Sequence, residues 1–172
     1  DTGGVLIRME HEKSGAQCIY HDRKDVNKTF AITFKTLPSD NTGVFHILEH
    51  TVLTGSRRYP VRDPFMALSR NSCNTFLNAM TSPDRTDYPA ASPVKKDFDN
   101  IFAVYTDAVF DPLLRKEDFM QEGIRLSSQG GLHFEGVVFS EMQGDISSHQ
   151  SVVQNSISRP LYPPTSPYAY ES

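Results

Sequence analysis

The sequence predicts an α+β domain of two layers, in which helices pack against a mostly antiparallel sheet. Three observations support this class: a β-hairpin signature opens the chain, a strand with two-residue alternation follows, and later segments carry the 3.6-residue rhythm of amphipathic helices. The chain has 172 residues, 38% of them apolar and 22% charged, which suffices for one globular domain with a core. No internal repeat or domain boundary is evident, so residues 1–172 are expected to form a single domain.

The first third of the chain predicts a hairpin, one further strand and a helix. Polar and apolar residues interleave over residues 5–12, a turn follows at 13–15, and strand character resumes over 16–21. Apolar residues then occupy every second position from 30 to 34, which indicates a strand with one buried face. The helix is expected over residues 43–55, with Thr42 as its cap and Gly55 as its terminating glycine.

The middle of the chain predicts two paired strands between helices. Asp63 and Pro64 form an N-cap and first-turn pair for a short helix. Residues 74–81 predict a strand, and residues 86–91 predict its partner behind the turn SPDR. A helix then begins near Ser92-Pro93 and ends at Asp111-Pro112, and a second short helix covers residues 115–121.

The last third predicts one long helix over residues 136–159, which Pro160 should end. The tail from residue 159 onward is rich in Pro and Tyr and predicts no regular element. The inward stripe of the long helix is expected to contain Val138, Glu141, Asp145, Val152 and Ser156, flanked by Val137, Met142 and Val153.

Charge and cysteine content exclude several classes of protein. The net charge is −4 and the isoelectric point is near 5.8, so we expect no nucleic-acid partner, since such proteins neutralise many phosphates. No apolar run approaches the roughly 18 residues of a membrane span, and no signal-peptide pattern is present, so we expect no membrane partner. Cys18 and Cys73 are too few and too far apart for a disulfide framework. Reduced thiols indicate a cytoplasmic protein or one of a mitochondrial or plastid matrix.

The segment GVFHILEHTVLTG, residues 43–55, carries the strongest functional signal. In a helix, positions 0, 3 and 4 fall at roughly 0°, 300° and 40° around the axis, so His46, Glu49 and His50 share one face. Two neutral imidazoles one turn apart can bind Zn²⁺, and a carboxylate beside them can accept a proton from a metal-bound water. The alternative is a core helix with two hydrogen-bonded histidines and a surface glutamate.

A catalytic zinc site usually has three protein ligands, so a third must come from elsewhere in the chain. Glu141, in GVVFSEMQG, lies one turn from Val137 and Val138 on the apolar side of the last predicted helix. A carboxylate there is costly unless it is paired or binds a metal. Periodicity alone slightly favours a solvent-facing Glu141 instead. Asp145, one turn later, could orient a ligand histidine, although a surface position is the favoured alternative.

Several longer blocks accompany the H-x-x-E-H motif. They are TGVFHILEHTVLTGSRRYPVRDPF, NTFLNAMTSPDRTDYP, KDFDNIFAVYTDAVFDPL, FMQEG and GVVFSEMQG, and they span most of the chain from about residue 42 to residue 144. In composition, order and spacing they resemble the pitrilysin and insulinase-type inverzincin metallopeptidases. Within that family they are most similar to the first domain of the presequence-protease and falcilysin branch.

This resemblance implies a complete metal site. It implies that zinc is the cofactor, that His46, His50 and Glu141 are its ligands, and that Glu49 is the general base. The resemblance therefore favours the ligand role of Glu141 over the solvent-facing alternative.

The resemblance also implies a peptide-binding edge. The family binds its substrate as an extra strand along a sheet edge near the metal, and NAMT matches that edge. Asn78 and Ala79 are the implied backbone contacts, with Met80 beside them. Without the resemblance, residues 74–81 predict only a strand, and an interior strand paired on both sides would be the default.

The chain departs from the family pattern in two ways. Ser72 and Cys73 replace a Gly-Ser-Leu sequence, FMQEGI lacks an aromatic residue after its glycine, and SEMQG replaces an Asn-Glu-Met-Lys-Gly run; none of these changes removes a ligand or the base. The second departure is length, because these proteases consist of two similar halves that close into a chamber. The second half supplies an Arg and a Tyr to the scissile carbonyl. Residues 1–172 are thus expected to be an incomplete first domain, with the C-terminal half as partner.

The sequence therefore predicts the catalytic domain of a zinc metalloendopeptidase that hydrolyses short unfolded peptides. In isolation this stretch is expected to have little or no activity, because half of the chamber is missing. The alternative is a non-catalytic peptide-binding or structural domain of the same superfamily.

Overall fold

The computed structural model describes residues 3–170, which form eight strands and six α-helices. The strands are β1 (Val5–Glu10), β2 (Gln17–Asp22), β3 (Lys28–Lys35), β4 (Phe76–Leu77), β5 (Met80–Ser82), β6 (Arg85–Ser92), β7 (Arg125–Ser127) and β8 (His133–Glu135). The helices are α1 (Val44–Val52), α2 (Pro64–Asn71), α3 (Lys95–Phe110), α4 (Lys116–Glu122), α5 (Val137–Ile146) and α6 (His149–Leu161). The α+β class predicted from the sequence is confirmed.

The central sheet is antiparallel throughout, and β6 is its middle strand. β3 pairs with one side of β6, while β4 and β5 pair in succession with the other. β1 and β2 form a separate hairpin, as predicted, and β7 pairs with β8 in a second small hairpin between α4 and α5. In residues 3–170 no strand lies beyond β4 and β5, so their outer side is a sheet edge.

The core lies on one face of this sheet. The apolar residues of β3 alternate with exposed ones, so Phe30, Ile32 and Phe34 all point toward the helices, as the two-residue period predicts. Helices α1 and α3 cover that face and supply most of the buried side chains. The fully buried members of the cluster are Val52, Leu53, Tyr88, Ala90, Ile101, Tyr105 and Ala108.

The predicted strand over residues 74–81 is interrupted, because β4 ends at Leu77 and β5 begins at Met80. The pairing register is the same on both sides of the gap, since Leu77 lies opposite Ala90 and Met80 lies opposite Asp87. The gap consists of Asn78 and Ala79, and Asn78 lies opposite Pro89. Because proline has no N–H, one hydrogen bond of the strand pairing is lost there. A single strand was therefore the wrong prediction, although its course along β6 was right.

The predicted long helix over residues 136–159 is also wrong, because the structure has two helices. α5 ends at Ile146, and Ser148 caps α6 by accepting a hydrogen bond from the Ser151 N–H at 3.1 Å. Pro160 does not end the second helix but lies in its last turn, where its missing N–H affects only the end of the hydrogen-bond ladder.

The predicted inward stripe of that helix is only partly correct. Val138 is buried against the rest of the fold, whereas Val152 and Val153 are exposed on α6. The break after Ile146 redirects the chain, so positions beyond it no longer continue the buried face of α5.

Both predicted ends of the motif helix differ in detail. The N-cap of α1 is Gly43, with a φ of 68°, while the Thr42 hydroxyl donates instead to Asp40 at 2.5 Å. That bond lowers the pKa of Asp40. The helix ends at Val52 with Leu53 as its C-cap, so Gly55 lies beyond the position that would terminate it. The predicted helix and its functional face are nevertheless right, although the helix is shorter than predicted.

Gly136, at the start of α5, lies against the backbone of Gly123, and a substitution tests this close contact. A Cβ at Gly136 would overlap the Gly123 carbonyl oxygen and lie 2.7 Å from its carbonyl carbon. Any side chain would therefore force two closely packed backbone segments apart. We expect Gly136→Ala to lower the free energy of unfolding by about 1–3 kcal/mol in a denaturant titration.

Gly144 is the matched control, because it lies inside α5 and a Cβ there meets nothing within 4 Å. Gly144→Ala should raise the free energy of unfolding by about 0.5–1 kcal/mol, since alanine is the better helix former. Equal effects of the two substitutions would contradict the close approach at Gly136.

Candidate metal centre

Helix α1 carries three functional side chains toward one cavity. It packs against β5, α4 and α5, and this packing orients the face that holds His46, Glu49 and His50. The spacing of the motif is a local property of the helix, so the sequence could predict the shared face. The imidazole rings of the two histidines lie 5.0 Å apart between centroids.

Glu141 on α5 reaches the same point from the opposite side. Its Oε2 lies 3.4 Å from Nε2 of His46 and 3.6 Å from Nε2 of His50. The ligand atoms of the three residues all lie within 4.8 Å of one another, and among residues 3–170 they are a group able to hold a metal ion. Two imidazole nitrogens and one carboxylate oxygen match the donors that zinc takes in catalytic sites. The residues therefore fit the ion that the sequence predicts.

Glu141 has features of both positions considered from the sequence, the ligand position and the solvent-facing position. Its side chain is 54% exposed, so it does not lie in the core as a strict inward position would. It nevertheless faces the two histidines across the cavity. Helix periodicity within α5 does not distinguish a solvent-facing Glu141 from a ligand, because the histidines that it faces belong to another helix, α1.

Glu122, at the end of α4, was missed in the sequence. Its Oε2 lies 3.1 Å from Nδ1 of His50, and the side chain is buried. Because a carboxylate accepts hydrogen bonds, Glu122 favours a proton on Nδ1 of His50, which leaves Nε2, on the side of Glu141, as the nitrogen available to a metal. Asp145 does not contact either ligand histidine: it is exposed and accepts from Ser151, in agreement with the surface position that the sequence favoured.

A chain of polar groups continues behind Glu122. The Gln121 amide donates to Glu122 Oε1 at 3.1 Å, and the Arg62 guanidinium donates to Gln121 Oε1 at 3.0 Å. These bonds occupy the second carboxylate oxygen and hold the side chain toward His50. The signal in the sequence was a glutamate ending a short helix in the block FMQEG, but nothing local connects it to His50.

Glu49 is the buried carboxylate of the site, with 6% of its surface exposed. Its Oε2 accepts a hydrogen bond from the Thr81 hydroxyl on β5 at 2.6 Å. The Thr81 hydroxyl lies 3.4 Å from that of Thr86, which is 2.9 Å from the Thr36 hydroxyl. Burial, and secondarily the Glu49 charge, raise the pKa of nearby Tyr88.

The predicted peptide-binding edge lines the same cavity, which has a volume of about 710 Å³. Asn78, Ala79 and Met80 form part of its wall, beside Glu49 and Thr81. The main chain of Asn78 is already used within the fold, because its N–H donates to Pro89 and its carbonyl accepts from Tyr105. The Asn78 main chain is therefore not free to pair with an added strand. Peptide binding by these residues stays a prediction.

The fold and the cavity together define an α+β domain with a candidate His-His-Glu metal centre. The family model described as Insulinase (Peptidase family M16) matches residues 37–129, more than half of the chain. The chain belongs to this family, as the sequence blocks predicted.

Relatives from bacteria and from mitochondria share most of the chain. It is 48% identical to protein HypA of Clostridium perfringens over 96% of its length, and 44% identical to the mitochondrial presequence protease of Mus musculus over 92%. These matches cover only 18% and 16% of the two relatives, respectively. The chain thus spans about one sixth of the length of the curated relatives it matches.

A solved structure supports the fold independently. The crystal structure of pitrilysin matches 68% of this chain and 14% of its own, with a TM-score of 0.54 and 23% sequence identity. At that identity the likeness concerns the fold alone. None of the helices within residues 3–170 is long and apolar enough to cross a membrane.

The contact between Glu122 and His50 yields a test by zinc titration. Glu122→Gln keeps the shape of the side chain but removes the charge that favours a proton on Nδ1 of His50. We expect the dissociation constant for zinc to rise by about 10-fold to 100-fold.

Asp145→Asn is the matched control, since it makes the same chemical change on α5 without contacting either histidine. Its zinc affinity should equal that of the unsubstituted protein. Equal affinities for both variants would contradict the orienting role of Glu122.

Proposed function

We propose that this chain is the catalytic domain of a zinc metalloendopeptidase that hydrolyses short, unfolded peptides. The observation that carries the proposal is the convergence of two histidine Nε2 atoms and the Glu141 carboxylate beside the buried carboxylate of Glu49. Membership of a peptidase family supports the reaction class. His46, His50 and Glu141 would hold the ion.

Each residue has a separate part in the proposed reaction. A zinc ion held by His46, His50 and Glu141 would lower the pKa of a water molecule toward 7 and would polarise a peptide carbonyl. Glu49 accepts the proton of the attacking water and returns it to the leaving amine, as a general base and then a general acid. Thr81 holds the Glu49 carboxylate in place with its hydroxyl. Glu122 fixes the His50 ring so that its Nε2 faces the metal position.

The sheet edge beside Ala79 would hold the peptide in an extended conformation. A peptide that adds a strand is recognised mainly through main-chain hydrogen bonds, so the preference for particular side chains should be broad. Main-chain pairing also requires an unfolded segment, which a folded protein does not offer. Short unfolded peptides are therefore the proposed substrates, bound along the edge that Asn78, Ala79 and Met80 form.

A second half of the same polypeptide is the proposed partner. The chain covers about one sixth of its relatives, and its cavity is open to solvent on the side of Glu141. Closure by further domains would exclude bulk water from the cavity. The names of the mouse and yeast relatives support a mitochondrial location, and a cytoplasmic location is the proposed alternative if the protein is bacterial.

The alternative function is a domain of the same superfamily that binds peptides without cleaving them. It would retain the cavity and the sheet edge but would have no turnover in the full-length protein. Zinc bound in stoichiometric amount, with no cleavage by either this domain or the full-length protein, would favour that alternative.

Substitutions at the site separate metal binding from proton transfer. Glu49→Gln should keep zinc but abolish peptide cleavage in the full-length protein, because the amide cannot accept a proton. His46→Ala and Glu141→Ala should lose the metal, because each removes one of the three ligands. Zinc content by elemental analysis and cleavage of a quenched fluorescent peptide measure the two effects. A Glu49→Gln protein that cleaved at the normal rate would overturn the assignment.

Thr81 provides a finer test of the same carboxylate. Thr81→Val keeps the shape of the side chain but removes the donor to Glu49, so we expect kcat to fall by about 10-fold with zinc content unchanged, the loss typical of one hydrogen bond to a charged group. Thr81→Ser keeps the hydroxyl and should retain most of the activity. Equal activity of the valine and serine variants would contradict this role.

A further inference from the structure

The main chain of Asn78 is bonded in an unusual way where β4 gives way to β5. Asn78 lies opposite Pro89 of β6 and donates its N–H to the Pro89 carbonyl at 3.2 Å. Residues that face each other in this way normally exchange two hydrogen bonds. Proline cannot return the second bond because it has no N–H. The sheet therefore leaves the Asn78 carbonyl without its ladder donor.

Tyr105 supplies the missing donor from another element. It lies on α3, is 1% exposed, and its hydroxyl is 3.2 Å from the Asn78 carbonyl oxygen. Burial raises the pKa of Tyr105, so the phenol remains protonated and able to donate. Edge-to-face packing against Phe30, with ring centroids 5.6 Å apart, fixes the direction of the ring.

This bond sets the direction of the next main-chain groups. In an antiparallel pair, successive residues direct their N–H and C=O groups alternately toward and away from the partner strand. Because Asn78 faces β6, Ala79 directs its main chain to the open edge, which lines the cavity beside Glu49. A peptide added at that edge would bind those groups.

We propose that Tyr105 is a positioning residue for the peptide, because its hydroxyl replaces the N–H that Pro89 lacks and so holds the Ala79 main chain in a strand-like orientation. This role rests on the proposed function. It assigns a part in substrate binding to a residue that lies in the core and touches neither the peptide nor the metal ligands.

The first test removes the hydroxyl and measures the kinetics of peptide cleavage in the full-length protein. With a short quenched fluorescent peptide, Tyr105→Phe should raise KM by about fivefold, the loss expected for one hydrogen bond, with kcat and zinc content nearly unchanged. Tyr170→Phe is the matched control, because Tyr170 also donates to a backbone carbonyl, that of Pro164, but outside the cavity. Its KM should not change.

The second test restores the donor from the sheet. Pro89→Ala places an N–H opposite the Asn78 carbonyl, so adding it to Tyr105→Phe should return KM to within about twofold of the original value. Alone, Pro89→Ala should have little effect, since a carbonyl oxygen accepts two hydrogen bonds. A tyrosine that acted only through packing would give no such rescue.

Amide hydrogen exchange at Asn78 measures the order of the same main-chain segment without any turnover, because the Asn78 N–H donates to the Pro89 carbonyl while its own carbonyl accepts from Tyr105. Exchange should be faster in Tyr105→Phe and should slow again in the double variant. An unchanged KM in Tyr105→Phe, or a raised KM that Pro89→Ala does not restore, would overturn this role alone. If the original protein loads zinc but neither binds nor cleaves the peptide, the proposed function and this role are overturned together.

Discussion

The position of α1 between the sheet and the pair α4 and α5 is the constraint on which the candidate metal centre depends. The helix alone can place two imidazoles and a carboxylate on one face, but it cannot supply a third ligand or hold a ring in one tautomer. Its neighbours do this from three directions: β5 contributes Thr81, α4 contributes Glu122 and α5 contributes Glu141. Thr81 contacts Glu49, Glu122 contacts His50, and Glu141 contacts both histidines. A shift of the helix along its axis would therefore disturb all of them at once, which makes the packing of α1 the common support of the site.

The charges of the site favour a cation. Three carboxylates, those of Glu49, Glu122 and Glu141, surround two histidines, and Arg62 reaches only the far end of the chain that leads to Glu122. Like charges that line one partly buried cavity repel one another more strongly than they would in bulk water. A divalent ion among the ligand atoms would offset this repulsion. The three carboxylates also differ in their surroundings. Glu141 is open to solvent, Glu122 is held by two partners, and Glu49 is buried beside a single hydroxyl. The same residue type thus has three environments within one cavity.

Local patterns predicted most of the fold and part of the site. The two-residue alternation of β3 and the spacing of His46, Glu49 and His50 depend only on backbone geometry, so the sequence was sufficient for them. Contacts between distant residues were harder: Glu122 lies 72 residues from His50, and no pattern joins the two. Only the family resemblance predicted Glu141 as a ligand. Its side chain is half exposed and also faces α1, so the helical pattern gave no clear signal. The two broken elements did carry local signals. Pro89 stands in a central strand, and Ser148 is a good helix cap, but the continuing apolar pattern masked both.

The close approach of Gly123 and Gly136 has a consequence for how this domain can vary. These two residues form the base of the β7 and β8 hairpin, and their backbones touch where that hairpin leaves the body of the domain. Glu122 directly precedes Gly123, and Glu141 lies on the helix that begins after Gly136. The contact between the two glycines, rather than the length of the hairpin, therefore sets the distance between these carboxylates. Insertions or deletions at the hairpin tip would cost little, since the entropy of closing a loop grows slowly with its length. The segment is therefore a site where new sequence could be inserted without moving the candidate metal centre.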